Sequence, residues 1–265
     1  MQRIMGKCAR ISYVVPDAGP FVKAFWGAYS GATSAARQHG HLEAPPGFLP
    51  TRRFRHSAAW LLGLLSPLDG RPLLRLVRTV RISVEPESPP AAFIEFDASP
   101  WGGGGLLRVA GRPLAWFAVQ WEASDAEVLG FQIGVPASQT FLEYLTMFLA
   151  LAIWAPTFVQ DGVALLGDNI AALEGALNLG GSRELTRITR ELTCRRSRGA
   201  WRYVCGHLPA EANLSADALS RLGAPKPSII PQELSEVPRV QLPAPRSFFA
   251  TLGEPPLSAW QDEAL

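Results

Sequence analysis

The stretch 91–222 alternates predicted strands and helices in an order that few folds accommodate. Three predicted strands come first, and their short connections indicate an antiparallel meander. A helix, a short continuously apolar strand, further helices, a last strand and a last helix follow. A continuously apolar strand is typical of the buried centre of a sheet. We therefore predict an α/β domain with a mixed five-stranded sheet, in which three antiparallel strands precede parallel ones and helices flank the sheet.

Hydrophobic periodicity and turn residues place the individual elements. The predicted strands are Ala92–Asp97, Leu106–Ala110, Pro113–Trp121, Val163–Leu166 and Trp201–Cys205. The predicted helices are Thr140–Trp154, one that Ser182 caps, and Ala212–Leu222. The glycines between Ser99 and Gly105 indicate a turn between the first two strands.

The chain outside this stretch divides into two further segments. Residues 1–85 are predicted to be helical, with apolar helices at Phe21–Tyr29 and Ser57–Leu65. Glu85–Pro90 is a natural linker, since proline disfavours helix at its own position and at the one before it. Residues 223–265 contain eight prolines in 43 positions, so we expect an extended or disordered tail.

Charge is unevenly distributed along the chain. Residues 1–90 hold 12 Lys and Arg against 5 Asp and Glu, whereas residues 91–222 hold 10 against 13. A basic arm beside an acidic domain suits a polyanionic partner, although solvated charged surfaces explain the same counts.

Composition excludes two classes of protein. The three cysteines are scattered, which argues against a disulfide framework and favours a reducing compartment. The longest apolar run, Leu145–Val159, is shorter than a bilayer requires, and no signal peptide precedes it. We expect an intracellular chain, cytoplasmic or nuclear, with no membrane partner.

Four carboxylates stand at the ends of predicted elements. Asp97 ends the first strand, Asp168 follows the apolar strand, Glu143 begins an apolar helix, and Asp217 opens the last helix. Ligand sites of open α/β sheets gather at such strand ends, and Mg²⁺ prefers hard oxygen ligands. Each acid alone has a simpler explanation as a helix cap or a solvated first-turn residue. Four in order indicate a metal-binding constellation.

The motifs around these acids resemble the ribonuclease H domains of gypsy-like and DIRS-like retrotransposon polyproteins. Phe96–Gly104 is similar to the family's first-strand motif, Glu143–Ala150 to its first helix, and Leu166–Asn169 to its fourth-strand motif. Gly206–Arg221 is the most specific piece, since it resembles the His-x-Pro-Gly-x-x-Asn-x-x-Ala-Asp-x-Leu-Ser-Arg ending of those polyproteins. The resemblance implies a type 1 ribonuclease H-like fold over residues 91–222.

The resemblance also implies an activity and its cofactor. The domain would hydrolyse the RNA strand of an RNA–DNA hybrid with two Mg²⁺ ions, Mn²⁺ being an alternative. By the family pattern Asp97 would bridge both ions, Asp217 would bind the ion that activates water, and Glu143 and Asp168 would bind the other.

Further residues are implied to contact substrate. His207 would lie on a mobile loop beside Asp217 and shuttle a proton or assist product release, unless it is a plain surface histidine. The residues expected to bind nucleic acid are Ser99, Asn169, Arg187, Arg190, Arg195 and Arg196. The arginines would hold the phosphate backbone, although a solvated helix face needs no such role.

Residues 1–85 more weakly resemble the thumb and connection region that precedes ribonuclease H in reverse transcriptases, from Ile4–Lys7 and Pro20–Phe25. The remainder of such a polyprotein is therefore an expected partner.

Three departures from the family pattern keep a second interpretation open. Pro100–Trp101 adds a bulky ring, Ala210 replaces a glycine, and Glu95 adds negative charge near the expected metals. The alternative is a catalytically decayed module that only binds nucleic acid.

Two other kinds of site are disfavoured. A Gly-rich phosphate loop at Gly102–Gly105 would need a following helix, whereas a strand is predicted there. A zinc site from Cys194, Cys205 and His207 lacks the ligand number and spacing.

Overall fold

The structure is a computed structural model that describes residues 6–10, 12, 16–38, 58–59, 90–180 and 185–249. These residues fall into two compact units, one within Met1–Arg78 and one within Thr79–Phe249. In the first unit helix α1 (Gly19–Gln38) confirms the predicted helix at Phe21–Tyr29.

Three other predictions lie almost wholly outside the described residues. These are the helix at Ser57–Leu65, the linker at Glu85–Pro90, and Ser182, the expected helix cap.

The second unit contains a five-stranded sheet. Its strands are β1 (Ala92–Ser99), β2 (Gly102–Val109), β3 (Arg112–Gln120), β4 (Val163–Gly167) and β5 (Tyr203–His207). Their order across the sheet is β3-β2-β1-β4-β5. β1, β2 and β3 pair antiparallel, whereas β4 runs parallel to β1 and β5 parallel to β4. The predicted α/β class, a mixed five-stranded sheet in which antiparallel strands precede parallel ones, is confirmed.

Five helices accompany the sheet in the described part of this unit. They are α2 (Ala123–Leu129), α3 (Gln139–Trp154), α4 (Ile170–Asn178), α5 (Thr186–Gly199) and α6 (Leu214–Ser220). α3 is the core helix, because every residue from Phe141 to Leu151 is buried. Pro136–Phe158 is long and apolar enough to cross a membrane, but 72% of its most apolar window is buried inside the protein. Its apolar length is explained by its place in the core.

The glycine-rich segment is a strand and not the predicted turn. β1 continues to Ser99 and β2 begins at Gly102, so the turn is only Pro100–Trp101. A Cβ on Gly104 would lie 2.5 Å from the Leu219 Cβ of α6, and one on Gly103 would collide with Thr146 of α3. The glycines therefore let helices on both faces approach the strand closely.

β1 sends its side chains alternately to two faces of the sheet. Ile94, Phe96 and Ala98 join the main hydrophobic cluster together with residues of α3. Asp97 lies on the opposite face, directly across from Gly104, which packs against α6. The alternation therefore places the Asp97 carboxylate on the face of the sheet that α6 covers.

Of the expected extended or disordered tail, residues 223–249 are described and residues 250–265 lie outside the described residues. Residues 223–249 pack on the domain, and the Trp116 backbone of β3 bonds the Pro238 carbonyl at 3.1 Å and the Val240 amide at 2.7 Å. Leu234 is 1% exposed, and both Phe248 and Phe249 are 9% exposed. The prolines disfavour long helices and strands in this segment, but several of its apolar side chains are buried against the domain.

Candidate metal centre

Three of the predicted carboxylates converge at one edge of the sheet. Asp97 comes from β1, Glu143 from α3, and Asp168 directly follows β4. Their ligand oxygens all lie within 4.8 Å of one another. The convergence follows from topology, because β1 and β4 are parallel neighbours whose carboxyl ends meet at the same edge. We call Asp97, Glu143 and Asp168 the three-acid cluster.

Glu143 is held by one polar neighbour. Its Oε1 accepts a hydrogen bond of 2.9 Å from the Gln139 side-chain amide, which also donates to the Ala98 carbonyl. Its Oε2 is buried and accepts no hydrogen bond from the described residues. Burial, with the nearby charge of Asp97 adding to it, raises the pKa of Glu143 to about 9.

Asp97 is oriented from α6. The Ser220 hydroxyl donates a 2.7 Å hydrogen bond to its Oδ2. Burial raises the pKa of Asp97 to about 7, the Ser220 bond opposes the rise, and the charges of Asp217 and Asp168 add to it. Without a bound cation, the ionised form of Asp97 is therefore disfavoured in the folded protein.

The cluster fits a divalent cation. Three carboxylates crowded this closely repel one another when ionised, and burying them ionised costs free energy unless a positive charge compensates. The buried Oε2 of Glu143 supplies an oxygen that has no other partner among the described residues. Carboxylate oxygens are the ligands that Mg²⁺ and Mn²⁺ prefer. Among the described residues, it is the group in which three possible metal-ligand atoms lie within 4.8 Å of one another.

Asp217, the predicted fourth ligand, lies near the cluster but outside it. Its Oδ1 accepts a hydrogen bond of 2.7 Å from the Arg221 Nε, and an Nη of the same guanidinium lies 2.7 Å from that oxygen. The side chain of Asp217 is 39% exposed and that of Arg221 52%. Asp217 is close enough to raise the pKa of Asp97. Its role as a metal ligand stays a prediction.

His207 differs from the expected position on a mobile loop. It is the last residue of β5 and pairs with Gly167 of β4. The next amide, of Leu208, donates to the Gly167 carbonyl at 2.9 Å, so the backbone there is fixed by the sheet. His207 is exposed. It ends β5, and the neighbouring strand β4 leads directly into Asp168.

Two residues predicted to contact nucleic acid make hydrogen bonds within the fold, and their contact with nucleic acid stays a prediction. Ser99 is 3% exposed. Its hydroxyl donates to the Ser220 carbonyl at 2.7 Å and accepts from the amide of Trp101 at 3.2 Å. Asn169 caps α4, because its side-chain oxygen accepts from the Ala172 amide at 3.0 Å. A buried hydroxyl and a capping oxygen are both occupied within the fold.

Three of the predicted backbone-binding arginines on α5 contact the protein itself. Arg187 donates to the Val128 carbonyl. The Arg195 guanidinium pairs with Glu191 at 3.0 Å and donates to the Phe248 carbonyl at 3.0 Å, and Arg196 lies over the Tyr203 ring. These contacts anchor α5 and the C-terminal segment.

Arg190 is the fourth predicted arginine, and burial lowers its pKa. Its buried Nε donates no hydrogen bond to the described residues. Contact of any of the four with a nucleic acid stays a prediction.

The negative charge of Glu95 is compensated. The Arg108 guanidinium pairs with Glu95 at 2.8 Å and with Glu233 of the C-terminal segment at 2.7 Å. Glu95 shares a sheet face with Asp97, as its spacing in β1 predicted, but this ion pair offsets the charge expected to oppose metals.

Three site residues were absent from the predicted list, namely Gln139, Ser220 and Arg221. The last two end the motif Gly206–Arg221, so the motif itself carried the signal. Gln139 lies one helical turn before Glu143, which is the spacing at which two side chains meet on one face.

The comparisons with known proteins are sparse. No protein-family model matches this chain, and no curated protein is a significant match. One similar solved structure is the ribonuclease H1 of the halophilic archaeon Halobacterium salinarum NRC-1. It is 18% identical, aligns over 50% of this chain and 94% of its own, and has a TM-score of 0.35. What this chain itself shows is the strand order β3-β2-β1-β4-β5 and the three-acid cluster at one edge of that sheet.

Proposed function

We propose that residues 91–222 form a metal-dependent endonuclease that hydrolyses the RNA strand of RNA–DNA hybrids. The observation that carries the proposal is the buried three-acid cluster, whose ligand oxygens lie within 4.8 Å of one another. The family resemblance of the motifs supports the choice of substrate. It also supports an origin in a retroelement polyprotein, with the rest of a reverse transcriptase as partner and an intracellular setting.

Asp97, Glu143 and Asp168 would hold the cation, and Asp217 would complete the site for a second one. Bound divalent cations supply charge neutralisation at a phosphate and lower the pKa of a bound water. The protein's own contribution is orientation. Ser220 fixes the Asp97 carboxylate and Gln139 fixes that of Glu143, each through a hydrogen bond shorter than 3 Å.

Hybrid cleavage by the full chain in Mg²⁺ tests the proposal. Wild type should cut the RNA strand of a labelled RNA–DNA hybrid, and Asp97→Asn should lower the rate by about 10²-fold or more, the loss expected when preorganised transition-state stabilisation is removed. Asp161→Asn makes the same chemical change at an exposed residue outside the cluster, and should retain the wild-type rate.

Other outcomes separate the alternatives. If wild type binds the hybrid but cuts no faster than Asp97→Asn, the decayed binding module replaces the enzyme. Cleavage of single-stranded RNA or duplex DNA at the rate of the hybrid would refute the substrate assignment.

A further inference from the structure

Hydrogen bonds from the end of the motif Gly206–Arg221 fix α6 against β1. The Asn213 side-chain amide donates to the Phe96 carbonyl at 2.9 Å, immediately before α6 begins. At the other end of the helix, the Ser99 hydroxyl donates to the Ser220 carbonyl at 2.7 Å. Asn213 and Ser220 are both nearly fully buried. The backbone that carries Asp217 is therefore tied to the strand that carries Asp97.

Two consecutive residues act on the two aspartates in opposite ways. Ser220 donates to the Asp97 Oδ2 at 2.7 Å and leaves that carboxylate within the three-acid cluster. Arg221 takes the Asp217 carboxylate, which lies outside the group whose ligand atoms share a 4.8 Å neighbourhood. Because α6 is fixed, the difference between the two aspartates lies in their side-chain partners.

The ion pair of Arg221 and Asp217 is exposed and is weak enough for another cation to displace. The Nε and one Nη of Arg221 each lie 2.7 Å from the Oδ1 of Asp217. Both side chains are more than a third exposed, so water and salt screen the pair and its net stability is small. An arginine in such a place competes with a cation for the carboxylate, and its own positive charge repels the cation.

We propose that Arg221 is a positioning residue that withholds the Asp217 carboxylate from the three-acid cluster, so that a second divalent cation binds only by displacing it. The inference rests on the proposed metal site and concerns its regulation. The first cation meets Asp97, Glu143 and Asp168 already gathered, whereas the second has to break an ion pair first. The two binding steps should therefore differ in affinity, with Arg221 responsible for part of the difference.

Calorimetric titration of the full chain with Mn²⁺ tests the inference without using activity. Arg221→Gln should tighten the weaker binding step roughly three- to fivefold, the factor that corresponds to an exposed ion pair. If wild type binds one ion at the concentrations reached, the variant should reveal a second. Arg112→Gln removes the same charge from an exposed residue in the hairpin next to the start of β1, and should change neither step.

Adding Asp217→Asn to Arg221→Gln should abolish the gain, since the effect passes through that carboxylate. A double variant that keeps the gain overturns the inference, as does an Arg221→Gln chain with unchanged or weaker binding. The failures remain distinguishable. Normal binding by wild type with no effect of Arg221 removes only the regulatory role, whereas a wild type that binds no Mn²⁺ removes the metal site as well.

Discussion

At the scale of single residues, the chain keeps two acids where their charged forms are disfavoured. Glu143 is 3% exposed and Asp97 is 6% exposed. A fold that buries carboxylates without compensation sacrifices stability, and such local conflicts are characteristic of functional sites. The conflict has a measurable consequence in the pH dependence of stability.

With metal chelated, we expect stability to fall as pH rises. The pKa values of Asp97 and Glu143 are raised in the folded chain to about 7 and about 9, above their ordinary values of 3.8 and 4.5. Between the ordinary pKa and the raised pKa of each carboxyl, the folded state binds more protons than the unfolded one. The free energy of unfolding therefore declines from about pH 4 toward pH 9. Thermal unfolding in EDTA from pH 5 to pH 9 measures the decline.

Two comparisons identify its source. Glu143→Gln should flatten the profile at its alkaline end and raise the melting temperature at pH 8 by at least about 2–4 °C, the shift that 1 kcal/mol produces in a domain of this size. Glu127→Gln, at an exposed position of α2, should leave the profile unchanged. Excess Mg²⁺ should flatten it in wild type, because a cation that binds the ionised cluster stabilises the folded state. A profile that rises from pH 5 to pH 9 in EDTA would contradict the assignment.

At the scale of elements, the glycines of β2 position the site because they carry no side chains. Gly104 lies across from Asp97 and faces α6. A Cβ there would lie 2.5 Å from the Leu219 Cβ and 2.7 Å from the Ser220 amide nitrogen. Only the absence of a side chain allows α6 to come close enough for Ser220 to reach Asp97.

We predict that Gly104→Ala displaces α6. Because the colliding atoms belong largely to helix backbone, the cost should reach the upper end of overpacking effects, about 3 kcal/mol. Urea unfolding measures this loss of stability. Cleavage should fall with it, as the Ser220 bond to Asp97 lengthens.

Gly206→Ala is the matched control, since a Cβ in β5 meets only the tip of the flexible Leu166 side chain, at 3.0 Å. It should cost less than about 1 kcal/mol. Equal costs for the two variants would show that close packing of α6 on β2 does not hold the site together.

The sequence allowed prediction of what depends on local pattern. Strand alternation and strand ends were sufficient to place Asp97 and Asp168 at one sheet edge. They could not reveal that Gly102–Gly105 form a strand, because glycine disfavours strands intrinsically and only the helices on both faces explain it. The pairing of Arg221 with Asp217, by contrast, has the same four-residue spacing as Gln139 and Glu143, so the sequence carried a signal for it.

At the scale of the whole molecule, the segment after α6 completes the second unit. Its residues lie along β3 through the backbone bonds of Trp116. Near its end, Arg246 donates to the fully buried Asp125 through its backbone amide at 3.1 Å and its side chain at 3.0 Å. A carboxylate buried this deeply is costly without a cationic partner. The segment therefore compensates the charge of the buried Asp125.

Removal of this segment should unfold much of the domain. Phe248 and Phe249 pack on Phe148 with ring centroids 6.4 and 5.3 Å away, and truncation of a buried Phe typically costs about 3–5 kcal/mol. A chain that ends at Leu222 should thus lose about 5 kcal/mol or more, a large part of what a domain has. Phe248→Ala should reproduce part of the loss in urea unfolding, whereas Glu236→Ala, exposed in the same segment, should not. A chain that ends at Leu222 and is as stable as wild type would show that the segment after α6 does not stabilise the domain.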